Sequence, residues 1–181
     1  MLKFVVGLVA GVAATLALAW NMAGSMVFNE QESPYSVEET VARIQHNIQD
    51  AENGWSLMGL RNPVKPLQAE GDDALPVMMI EACSTKYSGP ILKDDKLRFL
   101  SILMPCKISV YKKANGKVYI GTMNAGFVGS LFGPLVGDIM KSVVADQQKF
   151  LVMDPNKPTP QMIVPKAGGE GGGGGGGGSG C

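Results

Sequence analysis

The segment from Cys106 to Asn124 constrains this chain most, because it predicts a β-hairpin with a defined turn. Two segments that alternate in hydrophobicity, 106–113 and 117–124, flank the dipeptide Asn115-Gly116. Asn-Gly favours a two-residue type I′ loop, since both central residues of that loop need positive φ. The chain is therefore predicted to contain an antiparallel sheet.

The predicted loop also sets the register of the hairpin. It would place Ile108 opposite Met123 and Val110 opposite Gly121. Cys106 would then share a sheet face with Ile108 and lie one diagonal step from Met123. This register predicts that sulfur atoms from both strands lie close together. The alternative is that Cys106 is an inert buried residue, because cysteine and methionine are also ordinary core residues.

A capping box predicts the first helix of the body. Ser36 and Glu39 are spaced so that the Ser36 hydroxyl accepts from a free backbone N–H and Glu39 reaches back. Apolar residues then recur at helical spacing as far as Ile48. The helix is predicted from Val37 to about Glu52, with His46, the chain's only histidine, on its solvated side.

The remaining elements have weaker signals. The dipeptide Gly89-Pro90 is expected to interrupt any long helix after the second strand. Asp94 is a suitable N-cap for a short helix. The predicted elements are strands at Trp55–Leu60 and Val77–Cys83, a helix from Asp94 through Leu103, and a last helix from Pro134 to near Leu151.

The N-terminal segment is uncharged from Phe4 to Trp20. As a helix it would be about 25 Å long, slightly short of a bilayer's hydrocarbon core. A cleaved signal peptide fits, since residues 17–19 resemble a cleavage site, but the run is longer than a usual signal segment. We therefore expect residues 1–28 to form an uncleaved transmembrane helix. Lys3 precedes the run, so the body is expected in the periplasm of a bacterium, behind a single pass of the inner membrane.

The rest of the chain divides into a body and a tail. Residues 32–153 have the size of one compact domain. Beyond Asp154 the chain has four prolines and a glycine-rich run that ends at Cys181. Such a composition offers little apolar surface to offset the entropy of ordering, so residues 154–181 are predicted to be disordered.

Two cysteines of the body, Cys83 and Cys106, each lie where an apolar run meets a polar break. Three chemistries fit this pair: a structural disulfide, a thiol that carries sulfur or redox equivalents, and a soft-metal site. A carrier would need an exposed thiolate of lowered pKa. A metal site would add Met104 and Met123, because thiolate and thioether ligands select Cu(I). Apart from this Cu(I) alternative, we expect no cofactor.

A glycine-rich apolar segment covers residues 125–137 and has no charged side chain. Glycines spaced three or four residues apart on a helix leave a groove for another backbone. Plain burial, a ligand cleft and a self-association surface are all consistent with this pattern. A surface of the last kind would centre on Gly126, Gly129, Phe132 and Gly133.

Charge and motifs argue against several function classes. The formal net charge is zero and charged residues make up 18% of the chain, so the electrostatic footprint of a nucleic-acid-binding protein is absent. There is no Gly-x-Ser-x-Gly nucleophile elbow, and His46 is poorly placed to act as a base. We therefore lean against an enzyme.

Five segments together resemble a known family. They are Ser36-Val-Glu-Glu-Thr-Val-Ala-Arg-Ile, Ile80-Glu-Ala-Cys83, Leu103-Met-Pro-Cys-Lys-Ile-Ser-Val-Tyr111, Val118-Tyr-Ile-Gly-Thr-Met-Asn124 and Leu131-Phe-Gly. The family is catalogued as domain of unknown function 302, and the resemblance covers about 34–151. It implies an α+β fold in the order β-α-β(4)-α, often dimeric and in some members behind one membrane helix. Some members come from sulfur-metabolising bacteria. Gly89-Pro90 departs from the family pattern, in which this region is helical.

We therefore expect a single α+β domain with an antiparallel sheet and helices on one face, behind a transmembrane helix. Its predicted function is a membrane-anchored periplasmic binding or accessory module with a link to sulfur metabolism. The expected partners are the membrane, a second copy in a homodimer and a periplasmic protein, with no nucleic acid. The alternative is a thiol-based sulfur or redox carrier, or Cu(I) binding through Cys83 and Cys106.

Overall fold

The structure is a computed structural model that describes residues 2–164, with residues 2–4 and 19–23 described by their backbone alone. Its helices are α1 (Leu2–Val27), α2 (Val37–Gln49), α3 (Lys65–Ala69), α4 (Thr85–Lys93), a 3₁₀ helix (Arg98–Leu103), α5 (Ala125–Ser130) and α6 (Pro134–Phe150). Its strands are β1 (Phe28–Ser33), β2 (Trp55–Arg61), β3 (Val77–Ser84), β4 (Cys106–Lys112) and β5 (Val118–Met123).

The five strands form one antiparallel sheet in the order β1-β5-β4-β3-β2. One face carries fully buried side chains such as Ile80, Ile108 and Ile120, which pack in one core with Ile44 and Ile48 of α2. Burial of each such side chain contributes about 1.5–3 kcal/mol relative to exposure. The α+β fold with an antiparallel sheet is confirmed.

Helix α2 begins where its capping residue predicts. The Ser36 hydroxyl accepts from the Glu39 backbone N–H at 3.1 Å. The Glu39 carboxylate bonds Arg43 (2.8 Å) and Thr159 (3.0 Å). The N-cap therefore sets the start of the helix, while Glu39 serves a tertiary contact.

The predicted membrane anchor is corrected by the structure. Helix α1 has 26 residues, but none of the helices in the described part of the chain is sufficiently long and apolar to cross a membrane. The prediction of a single-pass inner-membrane protein with a periplasmic domain is therefore wrong. Phe28, assigned to the anchor, begins β1 and pairs with Met123.

The hairpin forms, but its predicted register is wrong by one residue. Ile108 pairs with Thr122 and Val110 with Ile120. The Lys113 N–H donates to the Lys117 carbonyl at 3.0 Å, so the loop has three residues instead of two. Gly116 supplies the positive φ of 81° that closes such a loop. A shift of one residue exchanges the two faces of β5, so Met123 and Ile108 lie on different faces of the sheet.

The segment with Gly89-Pro90 forms only a short helix, so the prediction that this dipeptide interrupts any long helix is confirmed. Pro90 lies inside α4, which is only nine residues long, and Ser88 and Ile91 are buried. Packing of these side chains offsets the hydrogen bond that proline cannot donate. The helix predicted from Asp94 through Leu103 begins only at Arg98 and is the 3₁₀ helix. Asp94 does not cap it, because its carboxylate accepts from the Lys96 N–H, which lies before the helix.

Residues 155–164, assigned by composition to a disordered tail, lie along α2. The Gln45 side chain is fully buried and forms two hydrogen bonds with the backbone of Ile163, at 2.6 and 2.8 Å. His46 is half-buried instead of solvated, because its Nε2 contacts the Gln161 carbonyl oxygen at 3.1 Å. The rest of the predicted tail, including Cys181, lies outside the described residues.

Candidate functional site: a sulfur-lined cavity

An apolar cavity of about 40 Å³ is lined by residues from strands β2 to β5, the 3₁₀ helix, helices α4, α5 and α6, and the adjoining loops. Its wall contains Cys83 near the end of β3, Met104 in the loop before β4, Cys106 at the start of β4 and Met123 at the end of β5. The structure thus brings all four predicted sulfur residues to one space. Met140 of α6 adds a fifth sulfur atom, which sequence reasoning missed because Met140 looked like an ordinary apolar residue of its helix.

The Cys106 thiol is free and half-buried. Burial raises its pKa, and Lys107 opposes that rise with a smaller effect. The thiol is therefore protonated at neutral pH, which makes it a weak nucleophile.

Cys83 is only 5% exposed and is disulfide-bonded. Its bond is not to Cys106, which is a free thiol. A structural disulfide between these two cysteines is therefore absent, and in this state Cys106 is the cavity's available thiol.

A buried carboxylate fixes one side of the cavity. Asp146 Oδ2 accepts from Trp55 Nε1 (3.0 Å), Tyr87 OH (2.9 Å) and Asn53 Nδ2 (2.9 Å), and Oδ1 accepts from Lys149 Nζ (3.0 Å). Burial alone would raise the pKa of Asp146, but the four hydrogen bonds outweigh it and hold that pKa well below its usual range. Trp55 and Tyr87 line the cavity, so this ionised carboxylate positions two of its walls.

The opposite face of the sheet carries an open groove of about 510 Å³. Lys107 and Tyr111 of β4 form part of its floor, and Phe28 of the sheet's edge strand β1 lines its side. Burial, followed by a hydrogen bond to Glu30, raises the pKa of Tyr111 to about 12. The groove and the cavity share two lining residues, Leu103 and Met123.

Comparison with known proteins identifies the family. The family model described as "Domain of unknown function DUF302" matches residues 29–151. The chain belongs to the DUF302 family. A solved DUF302 structure, "Crystal structure of uncharacterized conserved protein DUF302 from Bacillus stearothermophilus", has a TM-score of 0.61 and 21% identity, and the match covers 70% of this chain and 96% of that one. At this identity the likeness shows the fold. No curated protein matches the chain.

The predicted interface glycines of this DUF302 domain differ in their surroundings, and only Gly129 is closely packed inside the domain. A Cβ on Gly129 would lie 2.5 Å from Met140, so Gly129 permits the close packing of α5 on α6. A Cβ on Gly126 would lie 3.7 Å from Val144, at ordinary contact distance, and Gly133 separates the two helices with a φ of 93°. Phe132 is 37% exposed and lines the cavity. Self-association through this segment remains a prediction.

Metal-binding capacity in this DUF302 domain depends on methionine. Across residues 2–164, no three His, Cys, Asp or Glu side chains lie where they could together hold a metal ion. A site in the cavity would therefore be formed by Cys106 and thioether sulfurs, which are soft ligands.

Proposed function

We propose that this DUF302 domain is a non-catalytic binding module that holds one soft metal ion, Cu(I), in the sulfur-lined cavity. The observation that carries the proposal is the convergence of Cys106 with Met104, Met123 and Met140 on one apolar space. Thiolate and thioether sulfur favour Cu(I) over harder ions.

The size of the cavity supports a ligand of one or a few atoms. A water molecule needs at least about 10–15 Å³ of such space, whereas an engineered cavity that binds benzene has about 150 Å³. The 40 Å³ between the helices and the sheet fits a single ion. It is too small for an organic cofactor.

Charge also favours a monovalent ion. On binding, the Cys106 thiol releases its proton to solvent and the sulfur bonds the ion, so that thiolate and Cu(I) together are neutral. An apolar wall tolerates a neutral pair better than the net charge that a divalent ion would leave. Because burial raises the pKa of Cys106, affinity is expected to rise with pH while proton and ion compete for the sulfur.

The test is competition for Cu(I) between the full-length chain and a chromophoric chelator, under anaerobic conditions and with a reductant that keeps copper as Cu(I) but does not cleave the Cys83 disulfide. We expect one ion per chain, no binding by Cys106→Ser, and affinity at least about tenfold weaker in Met104→Leu and Met123→Leu, since these changes preserve volume but remove sulfur. Met58→Leu, in β2 and outside the cavity wall, is the matched control and should bind like the wild type.

Binding that persists in Cys106→Ser would refute the proposal. Intact mass spectrometry of the natively purified chain separates the alternative. A gain of one sulfur atom that disappears in Cys106→Ser would identify a sulfur carrier and favour a role in sulfur metabolism.

We also propose that the module self-associates, as the family resemblance implies. Support comes from an exposed aromatic pair, Phe99 and Phe132, whose ring centroids are 6.0 Å apart. Phe99 is 60% exposed, and Leu131 beside Phe132 is 67% exposed. Sedimentation equilibrium should show a dimer that Phe99→Ser dissociates. Equal masses for the variant and the wild type would exclude this surface.

A further inference from the structure

We propose that the open groove is the entrance to the sulfur-lined cavity, that Leu103 and Met123 separate the two spaces, and that the groove admits Cu(I) as a complex with a small anionic thiol. The inference rests on the proposed function for the identity of the ion. The route itself rests on geometry, because the same two side chains line both spaces.

The separating residues suit a passage. Leu103 ends the 3₁₀ helix and Met123 ends β5, so each lies at the terminus of an element. Both are only partly buried, and methionine is flexible enough to change its packing without a backbone shift. The Met123 thioether can bind the arriving Cu(I) on the groove side and remain a ligand on the cavity side. The bond from Cu(I) to the carrier's sulfur then breaks as the bond to Cys106 forms, and the carrier thiolate takes up the Cys106 proton and leaves through the groove as the thiol.

The groove's size and charge indicate what it admits. Its 510 Å³ lies within the usual range for small-molecule sites, about 300–1,000 Å³. Lys107 donates to the Pro105 carbonyl at 3.2 Å, and its ammonium has no carboxylate within ion-pair distance among residues 2–164. The carboxylate of Glu30 is already paired with Lys113 at 2.7 Å. Glu81, directly across from Lys107 in the sheet, is likewise paired with Arg61 at 3.3 Å. With both carboxylates paired, Lys107 leaves this surface with one net positive charge, which favours an anionic ligand.

The route is tested without copper, by the rate at which Cys106 reacts with methanethiosulfonate reagents. An anionic sulfonatoethyl reagent and a cationic trimethylammonioethyl reagent are compared on the full-length chain, and the modified peptide is identified by mass. We expect the anionic reagent to react faster. Lys107→Glu should change the ratio of the two rates by about fivefold or more, whereas Lys141→Glu, on the outer side of α6, should leave it unchanged.

The separating side chains are tested with a neutral methanethiosulfonate. Leu103→Ala should accelerate modification of Cys106 about tenfold, since it removes half of the barrier between the spaces. Leu97→Ala is the matched control, because Leu97 packs in the same small apolar cluster but lines neither space. It should react like the wild type.

Equal acceleration by Leu97→Ala and Leu103→Ala would indicate general loosening and would overturn the proposal. Faster modification in Phe132→Ala than in Leu103→Ala would do so too, because it would place the entrance between α5 and the 3₁₀ helix. The copper assay and the labelling assay fail independently. If copper binds normally but the labelling rates do not change in the Lys107 and Leu103 variants, the entrance is rejected and the ion is not. If the labelling rates change as expected but copper does not bind, the ion is rejected and the entrance is not.

Discussion

Replacement of Asp146 by asparagine should reveal how much the buried carboxylate contributes to the fold. Asparagine can place its oxygen where Oδ2 accepts from Asn53, Trp55 and Tyr87, so three hydrogen bonds remain but lose their charge. Hydrogen bonds to charged groups contribute about 1 kcal/mol more than neutral ones. Three such losses, less the desolvation cost that the charge no longer imposes, predict a decrease of about 2–3 kcal/mol in the free energy of unfolding.

The pH dependence follows from the lowered pKa of Asp146. A carboxyl group with a lower pKa in the folded state stabilises the protein above its unfolded pKa, and this stabilisation is lost as the pH falls through the folded value. The ordinary value is 3.8. Between pH 3.8 and pH 3.0 the free energy of unfolding of the wild type should therefore fall by about 1 kcal/mol through this group, whereas Asp146→Asn has no such loss. The difference in stability between the two proteins should narrow by that amount.

Urea denaturation at pH 7 and pH 3, followed by tryptophan fluorescence, measures this gap. Other carboxylates protonate in both proteins and cancel in the difference. Asp138→Asn, which breaks the exposed pair with Lys141, is the control and should cost less than about 0.5 kcal/mol. The reasoning would be refuted if Asp146→Asn lowered the free energy of unfolding no more than Asp138→Asn does, or if it lowered it equally at both pH values.

Three further outcomes are expected. Gly129→Ala should lower the free energy of unfolding by about 1–3 kcal/mol, because the new Cβ would lie 2.5 Å from Met140, whereas Gly126→Ala should not produce this steric loss. Gln45→Leu removes both side-chain hydrogen bonds to the C-terminal segment, so amide exchange and proteolysis should accelerate there before the core opens. Absorbance titration should show the highest tyrosine transition near pH 12, and Tyr111→Phe should abolish it.

Local sequence signals predicted local structure well. Ser36 caps α2 because its hydroxyl needs only the N–H three residues later, and Pro134 begins α6 because proline suits the first turn of a helix. The hairpin was also predictable. Its register was not, because Asn115-Gly116 fits both a two-residue loop and a three-residue loop closed by Gly116, and only the paired strands decide between them.

Which sulfur residues meet at the cavity was expected from residue type more than from geometry, and their role as a binding site stays a prediction. Cys83, Cys106, Met104 and Met123 meet at one cavity, although the register from which part of this was inferred was wrong. Asp146 could not be identified in advance. Its partner Trp55 lies 91 residues away in sequence, and no local pattern marks a carboxylate as buried.

The three-residue loop after Lys113 connects the far end of the hairpin to the chemistry of its near end. The six residues of β5 span about 20 Å, so the loop and Met123 lie at opposite ends of one strand. Deleting one loop residue would shift the pairing of β5 by one position, which exchanges the two faces of the whole strand. Met123 would then move to the other side of the sheet, although no residue near the cavity had been changed. The same change would carry Val118 and Ile120 of β5 out of the core, where they are buried. The length of this remote turn therefore couples the position of one cavity sulfur to the burial of the core.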